Sequence, residues 1–377
     1  MGSKVAMLDL GLSDIISNTI SLGASRFIDL FSGSGSVARW VAENHAIPVD
    51  SVDSQLYAKA LSGAIIERSE EADLNILMDW ISSSRSLHDR RRKGLTTLPD
   101  VALDSTAVYR QRSEAEQIEH SGFIARDYGG HYFSLDQALA LDCLMENLPE
   151  TGPERSVALA SVIEAASMCA ASPGHTAQPF QPTGNLIKHI DSAWRRDPFS
   201  FASRQAISLA SRFSLASGGN AFQRDALIFA RNNISERSVV FCDPPYSDVQ
   251  YSRFYHVLEG IARGGWSDVH GAGRAPIGSV RFSSTFSSRK MSTDAFTELF
   301  SNLAQNSATV ILTFPNQECS NGQSAESLSN IASQWFEVAS TPVDVTHSSL
   351  GSPVVSAGNR MPRKTVEESV MVFSPLV

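Results

Sequence analysis

An acidic residue, two prolines and a tyrosine stand in a row at Asp243, Pro244, Pro245 and Tyr246. The carboxylate and a proline carbonyl are hydrogen-bond acceptors, and two neighbouring acceptors match the two hydrogens of a planar –NH2 group. The tyrosine ring offers a flat face on which the ring that carries such an amine can stack. These residue types point to a site that grips an exocyclic amine. The alternative is plain turn chemistry at the end of a core strand.

The element that must position this group is the short apolar run at 239–241. Its β-branched and aromatic side chains predict a buried parallel strand. Two prolines cannot continue the hydrogen-bond ladder, so the strand ends by presenting Asp243. In an open α/β sheet, ligands bind beyond the carboxyl ends of the strands, and we therefore expect the group there.

A glycine-rich turn lies far upstream, where an apolar run at 26–31 leads into Ser32, Gly33, Ser34 and Gly35 and then into a helical pattern. A strand, a glycine loop and a helix form the first turn of many nucleotide-binding sheets. Glycines allow close approach of the ligand, and the helix N-terminus offers free N–H groups. The spacing also fits a dinucleotide fingerprint, so NAD or FAD is an alternative on this turn alone. The Asp243-Pro-Pro-Tyr246 group argues against NAD or FAD, because hydride transfer does not require a site that binds an exocyclic amine.

A second predicted strand at 49–52 ends at Asp53. About twenty residues past the glycine loop, an acidic side chain typically binds the ribose hydroxyls of a nucleoside. The alternative role for Asp53 is to cap the helix predicted over 54–66. Further strands are predicted at 309–314, 335–338 and 368–373.

Composition limits the class of protein. The chain has 377 residues, a formal net charge of −9 and four scattered cysteines without a Cys-x-x-Cys pair. Neither a disulfide framework nor a metal site is expected from this cysteine pattern. No apolar run approaches the roughly 18 residues of a membrane span, and no signal peptide pattern opens the chain. We therefore expect a cytoplasmic protein without membrane contact, and the acidic balance argues mildly against simple phosphate binding.

The sequence pattern changes in the middle segment, 73–215. The flanking segments, 1–72 and 216–377, have patterns of strands and loops. In the middle segment, helical patterns alternate with loops rich in glycine, proline and arginine. We predict one discontinuous α/β domain with an inserted domain between its halves. The run at Arg90, Arg91 and Arg92 is either a solvated surface or a surface that faces nucleic acid.

The stretch from Asp29 through Phe31, Gly33 and Gly35, followed downstream by Asp243-Pro-Pro-Tyr246, resembles the amino-methyltransferases that use S-adenosylmethionine (SAM). It looks most like the Dam-like DNA adenine N6 group, whose motifs occur in the same order around a target-recognition insertion. The resemblance implies a Rossmann-like sheet, mostly parallel with an antiparallel edge strand, and a mainly helical inserted target-recognition domain. It covers roughly 1–70 and 220–377.

The resemblance also assigns roles to individual residues. Gly2, Ser3 and Lys4 resemble the family's opening Gly-Gly-Lys, whose lysine helps bind the methionine end of SAM, although serine replaces one glycine and the tryptophan-containing lead-in is absent. Asp53 matches the acidic residue after the second strand, and Asp225 lies where the family often has a polar residue near the cofactor adenine. The residues expected to bind SAM are Lys4, Asp29, Phe31, Ser32, Gly33, Ser34, Gly35, Asp53 and Asp225.

The implied reaction is methyl transfer to the N6 amine of a flipped adenine in DNA, at a specific sequence and in a modification or defence system. Asp243 and the Pro244 carbonyl would hold the amine, and Tyr246 would stack on the base. Core packing of the following helix is an equal alternative for Phe254 and Tyr255. The residues expected to contact DNA or the flipped base are Tyr246, Gln250, Tyr251, Phe254, Tyr255, Arg90, Arg91 and Arg92.

Other substrates fit the same kind of pocket, namely adenine in RNA, a protein glutamine amide or cytosine N4. Those families more often carry Asn-Pro-Pro or Ser-Pro-Pro. A different class of protein, a DNA-recognition subunit without its own activity, is disfavoured by the intact Asp243 and by Gly33 and Gly35. A modification or defence system of this kind would also include a nuclease or a partner subunit.

Overall fold

The computed structural model describes residues 4–95, 97–117, 122–347 and 364–376, with the side chains of 344–347 and 364–366 left out. Gly2 and Ser3, which resemble part of the family's opening motif, lie outside these residues. Contacts divide the chain into two compact units. The first comprises Met1–Ser69, Ser214–Tyr251 and Phe282–Val377, and the second comprises Glu70–Phe213 and Ser252–Arg281.

The first unit is built on a seven-stranded sheet in the order β3-β2-β1-β4-β5-β7-β6. Strands β1 to β5 are parallel to one another, whereas β7 is antiparallel to both β5 and β6. This confirms the predicted α/β class and the mostly parallel sheet with antiparallel strands at one edge. The strands are β1 (Arg26–Asp29), β2 (Val49–Asp53), β3 (Asn220–Gln223), β4 (Ser238–Cys242), β5 (Thr309–Pro315), β6 (Phe336–His347) and β7 (Lys364–Pro375).

Helices occur in both units and are numbered here along the chain. The second unit contains α5 to α11 and α13, and the remaining helices belong to the first unit. No helix among the described residues is both long and apolar enough to cross a membrane. The helices are α1 (Val5–Met7), α2 (Ser13–Ser21), α3 (Ser36–Asn44), α4 (Leu56–Ile66), α5 (Leu74–Arg91), α6 (Ser105–Ala115), α7 (Phe123–Tyr128), α8 (Leu135–Glu146), α9 (Gly152–Cys169), α10 (Ile187–Trp194), α11 (Pro198–Ala210), α12 (Ala226–Asn233), α13 (His256–Arg263), α14 (Ser292–Gln305) and α15 (Ala325–Ala332).

The centre of the first unit is β4, which lies between β1 and β5 and is buried along its whole length. Successive side chains of a strand point to opposite faces of the sheet. Val239 and Phe241 accordingly pack with residues of α1 to α3, whereas Val240 and Cys242 pack with residues of α12 and α14. The continuous apolar run at 239–241 therefore forms a strand buried on both faces, and it fixes where Asp243 emerges.

The structure differs from the sequence-based prediction at the two edges of the sheet. β3 was not predicted, because it has only four residues, Phe222 is the one large apolar residue among them, and no apolar alternation results. β6 and β7 are 12 residues each, longer than the apolar runs at 335–338 and 368–373 that predict them. Polar residues extend both strands because the two pair with each other along their whole length.

The second unit takes in Ser252–Arg281 in addition to the middle segment. The sequence places these residues in the catalytic segment 216–377, since nothing local marks a boundary inside it. Within this unit, the Trp80 indole donates to the Leu144 carbonyl at 2.9 Å, and the Tyr132 hydroxyl donates to the Thr176 carbonyl at 2.6 Å. Its role in target recognition stays a prediction.

Candidate functional site

The site lies at the carboxyl ends of the neighbouring parallel strands β1, β2 and β4, as expected for an α/β sheet. Asp29 ends β1, Asp53 ends β2, and Asp243 follows the last residue of β4. The Leu30 N–H donates to the Phe241 carbonyl at 3.0 Å, which ties the end of β1 to that of β4. The sheet thus brings together three acidic residues that are far apart in the sequence.

The glycine loop between β1 and α3 is held in place by backbone contacts. The Ser32 N–H donates to the Val52 carbonyl of β2 at 3.0 Å, and the Gly35 N–H donates to the Ser32 carbonyl at 2.6 Å. Gly35 caps α3 with φ +72°, and a Cβ at this position would lie 2.8 Å from the Cβ of Ser62 in α4. Only glycine fits at this point, because both the conformation and the space exclude a side chain.

Asp53 anchors this loop to β2. Its Oδ2 accepts from the Gly33 N–H at 2.9 Å, and its Oδ1 accepts from the Gln55 N–H at 2.8 Å near the start of α4. The alternative role of Asp53 as the helix cap is not observed, because Gln55 is the N-cap residue of α4 and no side chain caps it. The contact with Gly33 was not predicted. Ribose binding by Asp53 stays a prediction.

Asp225 lies at the N-cap of α12, where its Oδ1 accepts from the N–H groups of Leu227 and Ile228 at 2.9 and 3.2 Å. The preceding Arg224 donates its N–H to the Asp53 carbonyl at 2.8 Å, so the end of β3 lies beside that of β2. The observed role of Asp225 is to cap a helix. Its contact with a cofactor stays a prediction.

Asp29 is the most buried carboxylate of the glycine turn, with 2% of its surface exposed. It accepts backbone hydrogen bonds from Phe31 and Ala38, while its Oδ1 has no hydrogen-bond partner among the described residues. Burial, and then the nearby Asp243, raise its pKa to about 8. A carboxyl group in this state would be stabilised in its charged form by a cation.

The turn fits the cofactor that the sequence predicts. SAM carries a sulfonium and an ammonium, and the buried Oδ1 of Asp29 and Oγ of Ser32 are unsatisfied polar atoms among the described residues. Of the other predicted cofactor residues, Phe31 packs edge-on against Phe286 at 5.1 Å between ring centroids, and Ser34 hydrogen-bonds to Ser36 at 2.8 Å.

Asp243 is held by side chains from two other parts of the first unit. Its Oδ1 lies 3.0 Å from the Lys4 Nζ and accepts from the Thr313 hydroxyl of β5 at 2.9 Å. The same Lys4 ammonium lies 2.9 Å from the Oε2 of Glu368, whose side chain is completely buried on β7. Lys4 thus pairs with two carboxyl groups, and its contact with the methionine end of the cofactor stays a prediction.

These contacts set the charge of the group. Burial raises the pKa of Asp243, whereas the Lys4 ammonium opposes this rise. Burial alone would lower the pKa of Lys4, but the carboxylates of Asp243 and Glu368 outweigh it and raise that pKa. The two carboxyl groups therefore stabilise the Lys4 ammonium in its charged form.

The sequence did not single out Glu368 or Thr313. An acidic residue directly before an apolar strand is a weak signal on its own, because most such residues are solvated. Glu368 reaches the site because β7 is antiparallel, so that its early residues lie at the edge where β5 ends, and Glu368 pairs with Pro315. Only the sheet order places it beside Asp243.

Two amide side chains fix the loops around the two prolines. The buried Asn321 donates through Nδ2 to the Pro245 carbonyl at 3.0 Å and to the Phe286 carbonyl at 3.1 Å. The Gln250 amide accepts from the Ser284 N–H at 2.7 Å and donates to the Ser284 carbonyl at 3.1 Å. Gln250, predicted to wall the substrate pocket, therefore ties its loop to the segment before Phe286. No sequence signal marks Asn321.

The aromatic residues after the prolines fall into both units. Tyr246 is half-buried against the core of the first unit and is hydrogen-bonded to Tyr251, and burial raises its pKa. Phe254 and Tyr255 are buried in the second unit, at 8% and 6% exposed. The Phe254 ring lies 4.9 Å from that of His175. For Phe254 and Tyr255, the structure favours core packing, which the sequence left as the alternative.

The arginine run lies at the end of α5. Arg91 forms a two-pronged ion pair with Glu146, at 2.6 and 2.9 Å, and the Nε of Arg92 lies 3.2 Å from the Oδ1 of Asp136. Arg90 is exposed. Two of the three guanidinium groups thus already have carboxylate partners within the second unit, and contact of the run with DNA stays a prediction.

Comparison with known proteins bears on this site. A family model described as D12 class N6 adenine-specific DNA methyltransferase matches residues 197–312, a range that contains Asp243 to Tyr246. The type II methyltransferase M.FokI of Planomicrobium okeanokoites is 23% identical over 316 residues, which are 79% of this chain and 42% of that protein. The match spans less than half of that relative's length. The family match confirms the resemblance to adenine N6 DNA methyltransferases, and the relative is likewise a methyltransferase.

Proposed function

We propose that this protein transfers a methyl group from SAM to the N6 amine of adenine in DNA. The observation that carries the proposal is the placement of Asp243 beside the glycine turn, on the adjacent parallel strands β4 and β1. An amine held by Asp243 would face a cofactor held by that turn. The family match over the same motif supports DNA adenine as the substrate.

The chain's own groups would act by positioning and electrostatics. Bound SAM supplies an electrophilic methyl group. Asp243 Oδ2 and the Pro244 carbonyl would accept the two hydrogens of the amine, since Lys4 and Thr313 are already on Oδ1. With its hydrogens held, the nitrogen can become pyramidal and direct its lone pair at the methyl group. Asn321 keeps the Pro245 carbonyl, and hence this loop, in place.

A stacked adenine cannot reach such a site, so we propose that the base is flipped out of the duplex at a cost of a few kcal/mol. Tyr246 would stack on the flipped base, which contributes about 1–3 kcal/mol on the scale of base–aromatic contacts. The second unit would supply contacts to the target sequence. Because the net charge is −9, weak non-specific DNA binding is expected.

We further propose that the methylation belongs to a modification system, as the type II name of the relative suggests. A nuclease or a partner subunit would complete such a system. These proposals on substrate sequence and partners rest on the relative, of which the match covers 42%.

The test is transfer of labelled methyl from SAM to genomic DNA that lacks adenine methylation, with the modified nucleosides identified by mass spectrometry. We expect N6-methyladenine from the wild type and a loss of at least about 100-fold in Asp243→Asn, the scale of removing one group that stabilises a transition state. Asp248→Asn, an exposed carboxylate on the same loop, is the matched control and should keep its activity. SAM binding without any methylated DNA would overturn the proposal, and methylated RNA, protein or cytosine would redirect it.

A further inference from the structure

The ion cluster of Lys4, Asp243 and Glu368, in which the Asp243 side chain is 28% exposed, contains one carboxylate more than binding of an amine requires. The side chain of Glu368 is 0% exposed, and that of Lys4 is 15% exposed. Burying a carboxylate is costly unless it is well paired, and replacing a buried ion pair by apolar residues is often neutral or stabilising. A completely buried glutamate at a reactive site therefore calls for a reason other than stability.

The geometry of the cluster divides the two oxygens of Asp243. Lys4 and Thr313 both approach Oδ1, at 3.0 and 2.9 Å, which leaves Oδ2 to accept from the substrate. A lysine held only by Asp243 could rotate about this carboxylate and cover Oδ2 as well. Glu368 also holds the ammonium, at 2.9 Å, and this second contact restricts the rotation and keeps the ammonium on Oδ1.

The charge of the cluster matters in the same way. Lys4 and Asp243 alone would form a neutral pair, which is a weaker acceptor than a free carboxylate. In the transfer, the N–C bond forms and the C–S bond breaks with its electron pair left on sulfur. Positive charge thus moves from sulfur to the amine nitrogen, which then loses one proton to Asp243 and from there to solvent. By sharing the Lys4 ammonium, Glu368 leaves more of the negative charge of Asp243 to stabilise this nitrogen in the transition state.

We propose that Glu368 is a positioning residue for methyl transfer, which fixes Lys4 on one oxygen of Asp243 and shares the charge of its ammonium. This inference rests on the proposed function. It also assigns Lys4 to the group that holds the substrate amine, through Asp243, instead of to the methionine end of the cofactor. Glu368 acts through Lys4 and does not touch the substrate.

The test is a double-mutant cycle on Lys4→Met and Glu368→Gln, with single-turnover methylation at saturating SAM and DNA and SAM affinity by calorimetry. We expect E368Q to slow transfer by about 10- to 100-fold with the Kd of SAM changed less than about threefold, the range seen when a supporting residue is removed. We expect K4M to slow transfer with a similarly small change in Kd. In the K4M background, E368Q should cause no further loss, because Glu368 acts only through Lys4.

Glu367→Gln is the matched control, since Glu367 is the neighbouring residue on β7, is exposed and hydrogen-bonds to Asn316. It removes the same charge from the same strand and should leave transfer unchanged. Glu368→Asp keeps the charge and should recover part of the rate. If E368Q does not fold, as judged by circular dichroism, E368D alone should still slow transfer with SAM affinity retained.

Three results would overturn the inference. Additive losses in the double mutant would show that Glu368 does not act through Lys4. Weakened SAM binding with an unchanged saturated rate would place Lys4 and Glu368 at the cofactor. An E368Q rate equal to that of E367Q would show that the charge is irrelevant. A wild type that binds SAM and methylates nothing would instead refute the proposed function, so the two failures are distinguishable.

Discussion

Replacing Gly35 by alanine tests whether the glycine turn is shaped by packing against α4 or only by backbone conformation. Gly35 has φ +72°, and holding an L-residue there costs about 1–2 kcal/mol. The new Cβ would also lie 2.8 Å from the Cβ of Ser62 and 3.1 Å from its Cα. Forcing such an overlap into a packed region costs roughly 1–3 kcal/mol more. We therefore expect Gly35→Ala to destabilise the first unit by about 2–5 kcal/mol in total.

Gly33 provides the matched comparison within the same loop. It has φ +50°, but the nearest atom to an added Cβ is the Phe31 carbonyl oxygen at 4.0 Å. Gly33→Ala should therefore cost only the conformational part, about 1–2 kcal/mol. The difference between the two variants measures the contact with Ser62 alone. Urea unfolding of both variants, with and without SAM, gives the free energies of unfolding and shows whether the cofactor site survives.

Ser62 then separates the packing contribution. Ser62→Gly removes the Cβ that meets the new methyl group, so Gly35→Ala should be less damaging in that background. Ser62→Ala keeps the Cβ and removes only the hydroxyl, which hydrogen-bonds to Ser51 at 2.6 Å, so it should not rescue. Equal destabilisation by Gly33→Ala and Gly35→Ala, or no rescue by Ser62→Gly, would refute the reasoning.

Three further predictions concern the cofactor, the DNA and the stability of the second unit. The pKa of Asp29 is about 8, so the group is mostly protonated at neutral pH and must lose its proton to pair with a cation. SAM affinity should therefore rise by up to about tenfold per pH unit until pH 8 and then level off, whereas Asp29→Asn should abolish this dependence in calorimetry; a flat wild-type profile would contradict it. In salt titrations of DNA binding, Arg90→Ala should reduce the slope by about one without loss of stability. Equal salt slopes for Arg90→Ala and wild type would exclude Arg90 from the DNA interface. Arg91→Ala breaks the part-exposed ion pair with Glu146, so in urea unfolding it should lower the stability of the second unit by about 0.2–1 kcal/mol.

The sequence determined those features that depend on local chemistry. The apolar run at 239–241 and the two prolines after it predict a buried strand that ends at Asp243, and the structure has β4 there. The glycine turn after β1 and the acidic end of β2 are recognisable for the same reason. Strand periodicity, prolines and glycines act over a few residues, so their consequences can be read without the rest of the chain.

The partners of these residues are decided by the tertiary structure. Glu368 and Thr313 meet Asp243 because β5 and β7 follow β4 in the sheet and because β7 is antiparallel, and Lys4 arrives from the other end of the chain. Asn321 is buried against the Pro245 carbonyl through a loop whose residues carry no pattern. The sequence shows which residues can be charged or can donate, whereas sheet order and strand direction decide which of them meet. Those contacts in turn set which oxygen of Asp243 is left for a substrate.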